Sequence, residues 1–321
     1  MRVAPAAAGA RILSLGEHQP ARVVTNDELA QTLDTSDEWV RSRVGIASRR
    51  IAGPDESNVD MAVIAGGKAL AASGLAASDI DLVIVATCTM PSQIPHAASQ
   101  VAARLGIQAP GAFDLNGACA GFVYGLGLAS SAITAGNARH VLLIGSEKLS
   151  DWIDWTDRST AIIFADGAGA AVIGPAATPA EVGIGPAAWG SAGDMVDTIH
   201  VKDRNSYLWQ EGQAVFRWAT TALAPVALEA CEKAGVRPEE LAAFVPHQAN
   251  LRIIEAIARK LGAPGVVVAR DIVTAGNTSS ASIPLALARM AERGELPSGA
   301  PVLLLGFGAG LTYAGQVVTC P

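Results

Sequence analysis

The stretch HVLLIGSEKL, residues 140–149, decides the fold, because a second version of it, PVLLLGFGAG, stands at residues 301–310. Each contains a continuous apolar run that ends at a glycine, and the two runs are 161 positions apart. The same offset maps Gly74 onto Gly235. Because 161 is close to half of the 321 residues, the sequence indicates an internal duplication of one fold.

Short, continuously apolar runs are typical of strands that are buried on both faces of a sheet. Residues 82–86 (LVIVA) and 243–246 (AFVP) are such runs, again 161 positions apart. They alternate with Ala-rich stretches that predict helices at 61–73 and 220–234. This alternation predicts an α/β fold with helices on the faces of the sheets. The two predicted halves are residues 1–175 and 176–321.

The composition excludes several classes of protein. Half of the residues are hydrophobic and 17% are charged, so a folded chain is expected rather than a disordered one. The formal net charge of −7 provides no basic field for nucleic acid. The four cysteines are scattered without the spacing of a zinc site, which predicts no metal centre and favours a reducing cytoplasm. They are Cys88, Cys119, Cys231 and Cys320.

Two long uncharged stretches, residues 115–138 and 296–321, raise the question of a membrane span. Polar side chains interrupt the first and three glycines interrupt the second, so we predict a buried core helix and a buried hairpin. The apolar run at residues 12–15 is too short for a signal peptide. We therefore expect a cytoplasmic protein with no membrane partner. Residues 198–209 fit neither half and read as a loop inserted at the junction.

Cys119 stands where a strand, a tight turn and a helix of small residues follow one another. The positive end of a helix favours the thiolate over the thiol, and small neighbours leave room for a substrate. When Cys119 is considered alone, a buried free cysteine that acts as a small hydrophobic residue is the better explanation. The repeat maps Cys119 onto Ser280, which also stands at the start of a small-residue helix.

His247 and Asn277 are the other candidate site residues. His247 ends a buried strand, where α/β sheets tend to place residues that face a ligand, although a structural histidine is as common there. Asn277 follows a glycine turn that opens a second small-residue helix, where it could simply be a helix cap. Each signal is modest, but the three residues together match one family.

The sequence resembles β-ketoacyl-acyl-carrier-protein synthase III, the initiating condensing enzyme of bacterial fatty acid synthesis, over nearly its whole length. The resemblance is carried by NGACAGF at residues 116–122, PHQAN at 246–250, GNTSSAS at 276–282 and GFGAGLTYAG at 306–315. It implies a thiolase-like fold in which two pseudo-symmetric halves form five layers, α-β-α-β-α. This agrees with the internal repeat.

The resemblance also implies a mechanism. Cys119 would attack an acyl-CoA thioester, and the resulting acyl-enzyme would condense with malonyl-acyl carrier protein as carbon dioxide is lost. His247 and Asn277 would donate hydrogen bonds to the enolate oxygen, and the backbone N–H groups of Cys119 and Ala309 would hold the other oxyanion. No cofactor is expected, because CoA enters only as the thioester substrate.

Contacts to CoA and to the acyl chain are implied in the same way. Trp39 and Arg158 would sandwich the adenine, Arg43 would meet the phosphates, and three further residues would line the entrance. These are Thr35, Gly212 and Asn250. Ile94 would reach the acyl tunnel of a partner subunit in a homodimer, and Phe307 would line the tunnel. Because Ile94 is not aromatic, we expect room for a longer or branched primer.

Carrier proteins are acidic, so an acidic enzyme needs a local basic patch to bind one. Arg252, Arg259 and Lys260 share one helix face, and Arg217 is a further candidate. An ordinary solvated charged face is the alternative explanation of these residues.

Four other functions are alternatives for such a chain. A degradative thiolase needs a second cysteine in the closing glycine loop, and an elongating synthase needs a second histidine where Asn277 stands. A relative that primes or acylates a polyketide or another natural product stays open, since residues 190–211 are shorter than the family usually shows. A non-catalytic acyl-CoA-binding subunit is disfavoured by the complete Cys-His-Asn set.

Overall fold

The computed structural model describes residues 7–203 and 205–321, so the first six residues of the predicted N-terminal half and Arg204 of the predicted loop lie outside it. The strands within these ranges are β1 Gly9–His18, β2 Val23–Thr25, β3 Ser48–Arg50, β4 Leu82–Ala86, β5 Gly111–Leu115, β6 Val141–Lys148, β7 Asp166–Ala176, β8 Ala188–Ser191, β9 Ile199–His200, β10 Trp209–Gln210, β11 Ala243–Pro246, β12 Val267–Val268, β13 Pro301–Gly308 and β14 Thr312–Thr319. The α-helices are α1 Asn26–Leu29, α2 Asp37–Val44, α3 Asn58–Ser73, α4 Ala97–Arg104, α5 Gly121–Thr134, α6 Arg158–Ala161, α7 Gly212–Ala234, α8 Leu251–Lys260, α9 Ile272–Ala275 and α10 Ser282–Glu292.

The two large sheets have the same topology. The first has the order β1-β7-β6-β4-β5 and the second the order β8-β14-β13-β11-β12. In each, the last three strands are parallel and the first two pair antiparallel. Leu82 lies opposite Val141 in the first sheet, and Ala243 lies opposite Val302 in the second. Since both residues of this pair shift by 161, the repeat is preserved down to strand register.

Three apolar clusters define five layers. The central cluster joins α5 and α10 to the inner faces of both sheets. A second cluster packs α3 and α4 on the outer face of the first sheet, and a third packs α7 and α8 on the outer face of the second. The order is therefore α-β-α-β-α, and the predicted thiolase-like fold of two duplicated halves is confirmed.

Small residues let the two halves approach closely at the centre. A Cβ atom at Gly145 in β6 would lie 2.5 Å from the carbonyl oxygen of Ser280, and one at Gly306 in β13 would lie 2.9 Å from the Cα atom of Ala120. Such distances leave no space for a side chain. The glycines that end both apolar runs are thus required where each sheet meets the short helix of the other half.

Several local predictions can be compared with the structure. The two uncharged stretches contain the buried helix α5 and the hairpin β13–β14, as predicted. The interpretation of residues 198–209 as a loop was partly wrong, because β9 pairs with β10 as a small antiparallel ribbon.

The first sheet ends at Ala176 and the second begins at Ala188, and the boundary between residues 175 and 176 stays a prediction. Across the described residues, every helix is too short or too polar to cross a membrane.

Candidate active site

Cys119 lies in a single turn of 3₁₀ helix, Ala118–Ala120, between β5 and α5. The turn is entered through Ala118 with φ of 45°, a left-handed conformation that costs a residue with a Cβ atom about 1–3 kcal/mol. The side-chain oxygen of Asn116 accepts a hydrogen bond from the Ala118 N–H at 3.2 Å. The left-handed turn therefore redirects the chain from the end of a strand into a helix, with Cys119 at the bend.

The glycine loop after β13 lies directly against the Cys119 side chain. A Cβ atom at Gly308 would lie 2.7 Å from the Cβ atom of Cys119 and 2.9 Å from its Sγ atom, so only glycine leaves the thiol in place. Hydrogen bonding by the backbone N–H groups of Cys119 and Ala309 lowers the pKa of the Cys119 thiol, against the effect of burial. Two backbone donors thus converge beside the sulfur, as an oxyanion hole requires.

His247 follows β11 and is 2% exposed. Its Nδ1 atom lies 2.7 Å from the Ser282 hydroxyl, which also accepts a hydrogen bond from the Gln248 N–H at 3.2 Å. The hydroxyl proton is then available for Nδ1, which assigns the ring proton to Nε2. Burial lowers the pKa of His247 to about 3. His247 is therefore a neutral donor, and the edge of its ring packs against Phe307.

Asn277 is fixed by hydrogen bonds to the first half. Its backbone N–H donates to the carbonyl oxygen of Ile163 at 3.0 Å, and its own carbonyl accepts from the Ala165 N–H at 2.9 Å. Its side-chain oxygen accepts from the Ser279 N–H at 2.9 Å. The side-chain NH₂ group of Asn277 therefore keeps its hydrogens for a ligand.

Cys119, His247 and Asn277 line one cavity of about 680 Å³ where the two halves meet. The wall is largely apolar and includes Leu149, Ile162, Ile163, Phe164, Ile199 and Leu208. The predicted site residues in the lining are Trp39, Arg43, Cys119, Gly212, Arg217, His247, Asn250, Arg252, Asn277, Phe307 and Ala309. Those outside it are Thr35, Ile94, Arg158, Arg259 and Lys260.

At the mouth of the cavity, the guanidinium carbon of Arg158 lies 4.5 Å from the ring centroid of Trp39, and that of Arg43 lies 5.6 Å away. Arg158 also donates to the backbone carbonyl of Asp34 at 2.5 Å. Planar groups stack about 3.5 Å apart, so the spacing between Arg158 and Trp39 leaves no space for an adenine. The predicted sandwich requires Arg158 to move away from the indole by about one ring thickness, near 3.5 Å.

Of the predicted basic residues, Arg217 and Arg252 line the cavity. Arg252 opens α8 with its guanidinium carbon 5.2 Å above the ring centroid of Phe216, and Arg259 and Lys260 end the same helix on its exposed side. Asn250 caps α8 by accepting from the Arg252 N–H, and its amide donates to the Arg43 carbonyl. This cap joins the basic helix to α2.

The surroundings of Cys119 do not favour the thiolate that the helix start predicts. Burial raises the pKa of Cys119 to about 12, and the negative charge of Glu147 acts in the same direction. The short helix start at Cys119 does not offset these two effects. Sequence reasoning considered neither Ser282 nor Glu147; a charged residue in the buried stretch 140–149 was the available signal for Glu147.

The fold, the cavity between its halves and its cysteine, histidine and asparagine define a condensing acyltransferase of the thiolase-like class. Residues 113–193 match the family described as 3-oxoacyl-[acyl-carrier-protein (ACP)] synthase III, and residues 231–320 match its C-terminal part. The chain belongs to the 3-oxoacyl-acyl-carrier-protein synthase III family.

Relatives extend over the full length. A β-ketoacyl-[acyl-carrier-protein] synthase III of Streptomyces coelicolor is 54% identical over 98% of this chain and 99% of its own. The crystal structure of the priming β-ketosynthase from the R1128 polyketide pathway has a TM-score of 0.96 and 44% identity, covering 100% of this chain and 98% of that one. The synthase III structure from Aquifex aeolicus has a TM-score of 0.92 and 40% identity, covering 97% and 100%.

Proposed function

We propose that the protein condenses an acyl-CoA primer with malonyl-acyl carrier protein and so initiates fatty acid synthesis in the cytoplasm. The observation that carries the proposal is the convergence of Cys119, His247 and Asn277 on one cavity, whose lining also includes Ala309. The product is a 3-oxoacyl-acyl carrier protein, and no cofactor takes part.

The first half-reaction loads the enzyme. Sγ of Cys119 attacks the thioester carbon, the bond from that carbon to the CoA sulfur breaks, and CoA leaves with the proton that the thiol loses. The N–H groups of Cys119 and Ala309 hold the oxyanion that forms during this exchange. The acyl group is then carried as a thioester on the enzyme.

The second half-reaction forms the new carbon–carbon bond. The malonyl group loses carbon dioxide, and the electron pair of the broken bond becomes an enolate. His247, through Nε2–H, and Asn277, through its NH₂ group, donate hydrogen bonds to the enolate oxygen. The enolate carbon attacks the acyl carbonyl, and Cys119 leaves as thiolate and takes a proton from solvent.

We assign the mouth of the cavity to the two large substrates. Trp39, Arg158 and Arg43 would bind the adenine and phosphates of CoA, with Thr35, Gly212 and Asn250 at the entrance. Arg217, Arg252, Arg259 and Lys260 would attract the acidic carrier protein, which fits their exposure on α7 and α8 beside the opening. The charges of these four residues are free, since salt bridges in the described part of the chain do not include them.

The acyl end of the cavity suggests the primer. We propose a homodimer in which Ile94, 84% exposed and outside its own cavity, enters the partner's acyl tunnel opposite Phe307. An aliphatic side chain there leaves room for a longer or branched primer. The ribbon β9–β10 contributes Ile199 and Gln210 to the wall, and it stands where the family usually has a longer segment.

A second candidate function is priming of a polyketide or other natural product. The similarity to the R1128 priming ketosynthase over the whole chain favours it. The chemistry at Cys119 would be the same, and only the carrier protein that discharges the acyl-enzyme would differ.

The test is the mass of the intact protein after brief incubation with acetyl-, isobutyryl- and longer acyl-CoAs. We expect a gain equal to the acyl group on wild type and on Cys231→Ala, whose thiol is buried outside the cavity, and no gain on Cys119→Ala. Isobutyryl- or longer acyl-CoA should load better than acetyl-CoA, and malonyl-acyl carrier protein should discharge the enzyme.

Two results would count against the proposal. No mass gain from any acyl-CoA would exclude a CoA-primed reaction. Discharge by a polyketide carrier protein, but not by that of fatty acid synthesis, would favour the second candidate.

A further inference from the structure

An arginine that the proposed reaction does not use is buried between the mouth of the cavity and its wall. Arg49, the middle residue of β3, is 0% exposed. Salt bridges within the described ranges do not include it. A guanidinium stays charged in proteins, and a buried charge persists only where hydrogen bonds replace its water. The hydrogen bonds of Arg49 therefore show which parts of the molecule it holds.

The guanidinium of Arg49 donates to two separate segments. Nη1 and Nη2 each donate to Oδ1 of Asn26 at 2.8 Å, and Nη1 also donates to the carbonyl oxygen of Val24 at 3.2 Å. Nη2 donates in addition to the carbonyl oxygen of Ile162 at 2.9 Å. Ile162 is 113 positions away and lines the cavity. One cation thus joins the start of α1 to the cavity wall.

Asn26 connects this anchor to α2. Asn26 is 1% exposed, and since Arg49 can only donate, the side-chain oxygen of Asn26 must face Arg49 and its NH₂ group must face away. That NH₂ group donates to Oδ1 of Asp37 and to the carbonyl oxygen of Ile46, both at 2.8 Å. Asp37 begins α2, and Ile46 lies two residues after α2 ends. Asn26 therefore holds both ends of the helix that forms the mouth.

The wall segment that Arg49 holds is also the one that holds Asn277. Ile163, the residue after Ile162, accepts from the Asn277 N–H at 3.0 Å. A Cβ atom at Gly276 would lie 2.9 Å from the Cβ atom of Arg49, so the backbone just before Asn277 packs directly on this arginine. The placement of the Asn277 side chain thus depends on the same buried group as the placement of α2.

We propose that Arg49 is a positioning residue that fixes α2 and the Asn277 segment relative to each other. It acts on the mouth through Asn26 and on Asn277 through Ile162. The inference rests on the proposed function, in which the mouth binds CoA and Asn277 serves the condensation step. Arg49 then supports both half-reactions although it lies outside the cavity lining.

The two arms of this network distinguish positioning from stability alone. An arginine that only stabilises the fold would lower the free energy of unfolding when replaced and leave both half-reactions unchanged. The arm through Asn26 reaches α2 but not the wall, whereas Arg49 itself reaches both. Variants at the two positions should therefore affect different steps.

Asn26→Asp breaks one arm only. The new carboxylate keeps an oxygen on Arg49 but places its other oxygen against Asp37 and the carbonyl of Ile46, where the NH₂ group donated. Acceptors repel one another there, so both ends of α2 lose their anchor while the hydrogen bond from Arg49 to the wall is kept. Arg49→Met fills the space with an unbranched side chain and removes all four hydrogen bonds, and so both arms.

The experiment measures the two half-reactions separately on the full chain. The initial rate of mass gain at varied acyl-CoA gives the half-saturating concentration, and saturating malonyl-acyl carrier protein then discharges the pre-loaded enzyme at a measurable rate. For Asn26→Asp we expect the half-saturating concentration to rise about tenfold, with the discharge rate within about twofold of wild type. Arg49→Met should raise that concentration as much and slow discharge by about tenfold or more.

Gln316→Met is the matched control. Gln316 is 1% exposed, donates to the carbonyl oxygen of Gly185 and lies outside the cavity lining, so its replacement removes a buried hydrogen bond without reaching α2 or Asn277. Both half-reactions should keep their wild-type values in this variant. Circular dichroism shows which variants are folded.

Two outcomes in folded variants would overturn the inference. One is an Arg49→Met protein with both quantities unchanged, and the other is discharge slowed as much by Asn26→Asp as by Arg49→Met. If Arg49→Met does not fold, Asn26→Asp decides, since an unchanged half-saturating concentration there refutes the link to α2. A wild type that acyl-CoA does not load would refute the proposed function itself, whereas normal loading with unaffected variants refutes only the role of Arg49.

Discussion

At the scale of single residues, the site is set by hydrogen bonds that decide which atom carries a proton. Ser282 directs the proton of His247 to Nε2, and the Ser279 N–H holds the side-chain oxygen of Asn277, which leaves the Asn277 NH₂ group to donate. Neither serine needs to touch a substrate to influence the reaction. Because His247 is buried, it also makes the free energy of unfolding depend on pH.

Because burial lowers the pKa of His247 to about 3, the folded protein keeps this ring neutral where the unfolded chain binds a proton. The contribution of neutral His247 to the free energy of unfolding is fully present above the unfolded pKa of about 6.5. It is lost as the pH falls from there towards 3. The slope is about 1.4 kcal/mol per pH unit for one proton. As the pH falls from about 6 to about 4, the free energy of unfolding of wild type should decrease by about 1.4 kcal/mol per pH unit more than that of His247→Gln.

Urea unfolding at several pH values measures this difference. Asp166 provides a matched case of opposite sign, since burial raises its pKa to about 6 and the folded state then binds the proton more tightly. Between about pH 4 and pH 6 the free energy of unfolding therefore decreases as the pH rises and Asp166 gives up its proton. Asp166→Asn should remove this decrease. Parallel pH curves for wild type and His247→Gln would contradict the assignment of a buried, neutral His247.

At the scale of elements, α2 shows how a short helix positions ligand-facing side chains. The Ser36 hydroxyl accepts from the Trp39 N–H at 3.1 Å, and acidic residues in the first turn and basic ones in the last turn suit the helix dipole. At the other end, Gly45 adopts φ of 81°, and a Cβ atom there would lie 2.3 Å from that of Leu251 in α8. The cap and the close packing together hold Trp39 and Arg43 at the mouth.

We expect Ser36→Ala to lower the free energy of unfolding by about 1 kcal/mol through loss of the cap. Since the same helix carries Trp39 and Arg43, the KM for acyl-CoA should rise, by at most about fivefold for that energy, while kcat holds. Steady-state kinetics with varied acyl-CoA gives both values. Ser57→Ala is the matched control, because Ser57 caps α3 in the same way without contributing to the cavity. An equal KM change in both variants would refute the positioning role of α2.

The elements differ in how far sequence alone predicts them. The bounds of β4 and β11 follow from their apolar runs, because strands buried on both faces leave a continuous signal. The ribbon β9–β10 was missed, since two-residue strands among polar neighbours leave no period to detect. The pairing of His247 with Ser282, 35 positions along the chain, exists only once both halves are packed. Motifs therefore predicted the residues that line the cavity and missed those that orient them.

At the scale of the whole molecule, β5 is one of the two edge strands of the first sheet. β5 lies at the end of the strand order, and Phe113 at its centre is 38% exposed. Gly111 donates to the carbonyl of Asp81 and Leu115 accepts from the N–H of Thr87. Alternation along the strand then turns the N–H of Ala112 away from the sheet. An exposed apolar edge is a template for pairing with another chain, which fits the homodimer we propose.

We expect the protein to sediment as a dimer. Ala112→Pro removes an outward N–H without removing a hydrogen bond inside the sheet, so it should weaken the dimer at least about tenfold with the fold retained. Ala112→Gly keeps the N–H and should remain dimeric. Sedimentation velocity across a range of concentrations distinguishes these cases. A monomeric wild type, or equal dimerisation of both variants, would exclude β5 as the contact.

Ala118, with its left-handed backbone before the cysteine, has a counterpart that bears on ancestry. Ser279 has φ of 49° and lies 161 positions further on, so the residue after it, Ser280, occupies the place that Cys119 holds in the first half. The bend is therefore a property of the repeating unit and not only of the half that carries the sulfur. Each unit offers one such bend, followed by a thiol in the first half and by a hydroxyl in the second. The second half of this enzyme preserves that unused copy, and its hydroxyl at Ser280 now serves the first.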